Sequence, residues 1–262
     1  MNSISKIFIG LLFNVFLFFF LFQSMYTPLE QMKFKRTALG KFSFFTYNSL
    51  ITTVIFLSVY NLKNIIALIS LYRAKNSNLN REKKNKINES KPNYTNDLKN
   101  NRIKNKTQNN HFSSSEESSN FMFFLLKLNF TLAFVFETVV FLMYWFLFFS
   151  NKNSFNTDEE NAMKTYMDTL VDISIHLIPF LSLLFVFLTD KGMLMREYGV
   201  FIFINLMCTL YFYGVLYYCN IYKQTYVYLF TKNYNEMQLL ILSLASMCLG
   251  LICYLIYFLL TK

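Results

Sequence analysis

The amino-acid sequence predicts an all-α integral membrane bundle of six transmembrane helices. Of the 262 residues, 54% are hydrophobic, and they gather into six long blocks instead of one-sided faces. Each block reaches the roughly 20 residues that a helix needs to cross a hydrocarbon core about 30 Å thick. None alternates with period two, and in lipid only helices and closed barrels satisfy their own backbone groups, so a helical bundle is the reading that remains.

The first block, residues 5–23, is longer than the apolar run of a secretory signal, and "LFQSMYT" after it offers no small-x-small cleavage site, so it reads as a retained helix. The second covers residues 42–62 with an apolar extension to about residue 72. Composition then changes abruptly. Residues 75–120 are dense in Asn, Lys and Ser and nearly free of apolar side chains, so nothing there offsets the entropy of ordering and a disordered loop is expected. Helices three to six follow over residues 121–149, 166–189, 199–222 and 238–260. The chain thus divides into helices one and two (residues 1–74), a basic loop (75–120) and helices three to six (121–262).

Charge follows the same division. From Arg73 to Phe112 there are eleven Lys or Arg against three acids, which accounts for most of the net charge of +10. Basic loops stay in the cytosol, which places both termini there and sends the acidic "NKNSFNTDEENAMK" to the lumenal or outer side. Lys33, Lys35, Arg36 and Lys41 in the first loop argue the other way. The basic loop lacks the interleaved aromatics of a nucleic-acid site; membrane lipids with anionic head groups are the expected partner, with no nucleic acid. Cys208, Cys219, Cys248 and Cys253 show no CxxC spacing, which indicates neither a disulfide framework nor a zinc site.

No nucleophile elbow, zinc-protease motif or phosphate loop is present, and two histidines are too few for a histidine-rich metal centre. Any chemistry therefore belongs to polar residues at membrane depth: Thr46 and Asn48 in the second block, Lys127 and Glu137 in the third, and Asp168, Asp172 and His176 in the fourth. Such groups are costly in lipid and are functional candidates by default. Each also has a structural alternative: a histidine bonding across helices, a threonine bonding back to its own helix, a lysine snorkelling to the interface. Asp168, Asp172 and His176 recur every four residues and share one helical face, expected to point inward. On that face Asp172 can accept from one imidazole nitrogen and leave the other as a base. Pro179 leaves the Ile175 carbonyl without its usual donor beside the histidine. Glu137 and His176 both lie near mid-helix and are expected at similar depth.

The stretches "KFSFFTYNSLITTVIFL", "NFTLAFVFETVVFLMYWFLFF" and "VDISIHLIP" resemble the androgen-induced gene / androgen-dependent TFPI-regulating protein family, with all six helices in order. That resemblance implies a six-helix threonine hydrolase acting on fatty acid esters of hydroxy fatty acids, with no metal or organic cofactor. The family's T-x-N matches Thr46, Tyr47 and Asn48, and the second histidine of its NHxMHT motif matches His176. Asp172, Ile173 and Leu177 stand where the family has Asn, His and Thr. The implied roles are nucleophile for Thr46 and base for His176. Asp172 is a candidate to orient the imidazole, Asn48 is a candidate oxyanion donor, and Glu137 is a further polar residue of the site. At 1.5 Å per residue Thr46 is expected about 6–9 Å inside the membrane and His176 about 15 Å, an offset for helix tilt and a Pro179 kink to close. A lipid ester in an endomembrane or the plasma membrane is the expected substrate. The alternatives are an ion or proton path through Glu137, Asp172 and His176, or a membrane scaffold without activity.

Overall fold

The computed structural model describes residues 3–40, 44–89, 113–150, 162, 164–197 and 199–261. Seven α-helices make up almost all of this: α1 Ser3–Tyr26, α2 Pro28–Arg36, α3 Phe45–Glu89, α4 Ser113–Ser150, α5 Tyr166–Thr189, α6 Gly199–Tyr211 and α7 Glu236–Leu260. Beyond Tyr211, α6 continues as a π-helix over Phe212–Tyr222. No strand occurs among the described residues. Six spans are long and apolar enough to cross a bilayer, one each in α1, α3, α4, α5 and α7 and one across α6 with its π continuation.

Two elements depart from expectation. The short helix α2 opens with Pro28, whose fixed φ suits the first turn of a helix. It is too short and polar to register as a span. The second departure is α3, which runs without a break through Glu89, while α4 starts at Ser113. Helix therefore occupies both flanks of the segment expected to be disordered; residues 90–112 lie outside the described residues. The membrane span supplies a nucleus that an isolated peptide lacks, so propagation adds a hydrogen bond per residue until a breaker intervenes. No Gly or Pro occurs between Phe45 and Glu89.

Around α5 the bundle is densest. Half of its span is buried, against 17% for α1. It packs on α1 and α4, and α4 packs also on α3 and α7. Phe56, Phe130, Phe134 and Phe187 fill this centre, with the Phe134 and Tyr257 rings stacked at 4.2 Å. Large apolar side chains on the outer faces, such as Phe8, Ile66, Phe146 and Ile202, remain exposed, as lipid-facing helices require.

Capping settles the role of Asp168. Thr165 and Asp168 form a capping box: the Thr165 hydroxyl accepts from the Asp168 N–H at 3.2 Å, and the Asp168 carboxylate accepts from the Thr165 N–H at 2.9 Å. This carboxylate starts a helix. Asn235 and Gln238 do the same for α7.

Candidate active site

Thr46 lies in the first turn of α3, and Tyr47 beside it ties that turn to α2. The Tyr47 hydroxyl donates to Glu30 Oε2 at 3.1 Å, while Glu30 Oε1 holds the Lys33 ammonium at 2.7 Å in a buried ion pair. From α5, His176 meets this turn. Its Nε2 is 3.3 Å from Thr46 Oγ1. Since His176 is ten residues into α5, the start of α3 sits well inside the bundle, about 15 Å along the axis of α5 from its first residue. The expected depth offset is closed because α3 begins deep.

The other imidazole nitrogen defines the tautomer. His176 Nδ1 lies 2.6 Å from the main-chain carbonyl oxygen of Asp172, an atom that can only accept. Nδ1 therefore carries the hydrogen, and Nε2 of the neutral ring presents a lone pair to the Thr46 hydroxyl. The Asp172 carboxylate is farther off, 3.8 Å from Nδ1, and is bound by the Tyr144 hydroxyl at 3.2 Å with the Lys164 ammonium at 3.7 Å. So the orienting role expected of the Asp172 side chain belongs mainly to its backbone. The Tyr144 ring also stacks on the imidazole, with centroids 3.8 Å apart and planes 14° from parallel, which holds the ring from its face.

Thr46, Tyr144 and His176 line one wall of an apolar cavity. Phe136, Met143 and Leu147 of α4, Leu216 of the π segment, and Leu242 and Gly250 of α7 form much of the rest. Asn48 is not among the lining residues; its carbonyl accepts the Thr52 hydroxyl at 2.7 Å. Glu137 is not among them either. It is fully buried between α4 and α3, where Oε1 accepts from the Thr53 hydroxyl at 3.1 Å. Lys127 sits over the Phe123 ring at 4.6 Å.

One comparison with known proteins finds a family. A family model described as FAR-17a/AIG1-like protein matches residues 96–262. The chain belongs to this family. No curated protein and no solved structure matches it. The span shared with the FAR-17a/AIG1-like model contains His176, Asp172, Tyr144 and Glu137, whereas Thr46 lies before it. Tyr144 and the Glu30–Lys33 pair were not singled out in the sequence: Tyr144 is one of 18 tyrosines in an aromatic-rich chain, and Lys33 entered only as a loop charge.

Proposed function

We propose that the protein is an intramembrane hydrolase of long-chain lipid esters, with Thr46 as nucleophile and His176 as general base and then acid. The observation that carries this reading is the 3.3 Å approach of Thr46 Oγ1 to a His176 Nε2 left unprotonated by the Nδ1 contact, at the wall of an apolar cavity inside a membrane bundle. A threonine hydroxyl is a weak nucleophile at its own pKa and needs a base within hydrogen-bond reach. Nε2 takes the hydroxyl proton as Oγ1 attacks the ester carbonyl, and returns it to the departing alcohol. Water then hydrolyses the acyl-threonine by the same proton traffic. Asp172 lends negative charge beside the imidazolium that forms, and the cavity receives the acyl chain.

Resemblance to the androgen-induced gene family suggests fatty acid esters of hydroxy fatty acids as the substrate class. A membrane-delimited site suits such substrates, since they partition into lipid. The decisive experiment is labelling of the purified protein by a long-chain fluorophosphonate. Wild type is expected to label and Thr46→Ala to remain blank; equal labelling of both ends the nucleophile assignment.

A further inference from the structure

The stretch between the π segment and α7, residues 223–235, is pinned to the bundle by Asn220, a buried residue within the fifth span. Both ends of its carboxamide are used. Nδ2 donates to Thr231 Oγ1 at 2.6 Å, and Oδ1 accepts the Val227 N–H at 3.2 Å. The Thr231 hydroxyl donates in turn to the Tyr228 carbonyl at 2.6 Å. On the outer side, the Thr225 hydroxyl donates to the Cys219 carbonyl at 3.3 Å and accepts the Ala38 N–H at 3.3 Å. These bonds fold the loop back so that the Tyr228 side chain enters the bundle, where its ring meets Phe44 edge-on at 6.0 Å.

The Tyr228 hydroxyl reaches the turn that carries the proposed nucleophile. It accepts the N–H of Phe45, the residue before Thr46, at 3.3 Å, and lies 3.3 Å from the Tyr211 hydroxyl. Tyr211 is the residue at which α6 changes from α to π, and long π segments are uncommon and concentrate at functional sites. Both tyrosines line the same cavity as Thr46 and His176. A phenol has one hydrogen to give and lone pairs to accept. The Phe45 amide donates to the Tyr228 oxygen, and in the Tyr211–Tyr228 contact, where either hydroxyl can donate, donation by Tyr211 leaves the Tyr228 hydrogen for a cavity ligand. Burial holds this phenol above its ordinary range, so the hydrogen stays in place.

We propose that Tyr228 is the oxyanion donor of this site, with Tyr211 and the Phe45 amide positioning its hydroxyl. The inference rests on the ester-hydrolase reading. As Thr46 Oγ1 forms its bond to the ester carbon, its proton passes to His176 Nε2 and the carbonyl π pair moves onto oxygen. That oxygen accepts a hydrogen bond from the Tyr228 hydroxyl. On collapse the pair re-forms the C=O bond, the ester C–O bond breaks, and the leaving alkoxide takes the proton from His176. Tyr228 keeps its own hydrogen throughout and offers a bond that strengthens as charge develops.

The test compares wild type, Thr46→Ala, Tyr228→Phe and Tyr211→Phe as full chains in detergent, with a long-chain p-nitrophenyl ester as substrate and a long-chain trifluoromethyl ketone as tetrahedral mimic. Tyr228→Phe is expected to lower kcat by about 10²–10³-fold with KM within about twofold, as loss of an oxyanion donor does. Its affinity for the trifluoromethyl ketone should fall in step with kcat/KM. Tyr211→Phe, which only positions the donor, should lose about tenfold or less. If Tyr228→Phe unfolds part of the sample, inhibitor affinity still decides, because the folded fraction of a merely destabilised enzyme binds the mimic as wild type does. Wild-type kcat or undiminished affinity for the mimic in Tyr228→Phe overturns the proposal. A dead Thr46→Ala beside that result leaves the hydrolase reading standing, whereas a fully active Thr46→Ala removes the reading itself.

Discussion

At the scale of single residues, the imidazole is held by an atom that no substitution at position 172 removes. The Asp172 carbonyl fixes the Nδ1 hydrogen at 2.6 Å whatever side chain the residue carries. Asp172→Asn is therefore expected to keep most of the ester hydrolysis, with a loss of about 1 kcal/mol or roughly fivefold in kcat, from the missing charge beside the imidazolium. Steady-state kinetics of the variant check this, and a loss as deep as that of His176→Ala would refute it. Thr46→Ala and His176→Ala should each abolish turnover without preventing membrane insertion, and the double variant should be no worse than either, because members of one catalytic unit are not additive. The types Thr46 and His176 were legible in the sequence because polar groups stand out at membrane depth. The partners were not. Tyr144 and Tyr228 hide among many aromatics, but Asn220, an asparagine near the end of an apolar block, was a signal that could have led to the loop it clamps.

Among the elements, the spans were legible because twenty apolar residues admit few other fates. The helix α2 was not, since PLEQMKFKR has neither the length nor the apolar stripe that marks a helix from sequence. Its importance comes from tertiary contacts: Leu29, Glu30 and Lys33 are buried, and Glu30 reaches Tyr47 in the first turn of α3. Glu30→Leu removes the carboxylate that accepts from both the Tyr47 hydroxyl and the Lys33 ammonium in a buried setting. The expected cost is about 1–3 kcal/mol, read as a lower thermal midpoint in detergent, with hydrolysis impaired as the turn bearing Thr46 loosens. The polar extension of α3 has a different reason. It was invisible to a composition argument that treated the basic segment alone, without the helix already running into it.

Across the whole molecule, one end gathers basic side chains from several elements. Lys6 donates to the Thr189 carbonyl at 2.8 Å, Lys63 and Lys127 share the Phe123 ring, and Arg196 bonds the Thr261 carbonyl, so both chain ends lie with the α5–α6 connection and the inner end of α4. The basic segment issues from that same end. With it in the cytosol, its three sequons at Asn88, Asn93 and Asn105 should stay bare in a glycosylating host. A mass shift abolished by Asn→Gln changes at these sites would invert the orientation. Deleting about residues 80–112 should leave hydrolysis largely intact, since the cavity lies towards the other end of α3. Activity lost from a deletion variant that still inserts would make the segment a gate.

The Thr46–His176 contact joins residues 130 positions apart in the chain, and Tyr228 follows later still. A ribosome adding about 5–20 residues per second therefore releases the threonine into the membrane roughly ten seconds before its base exists. During that interval the half-made protein resides among the very lipids it is proposed to cleave, without the means to cleave them. The proposed activity begins only with completion of the bundle, so nascent chains that stall or are discarded early leave the surrounding bilayer chemically untouched.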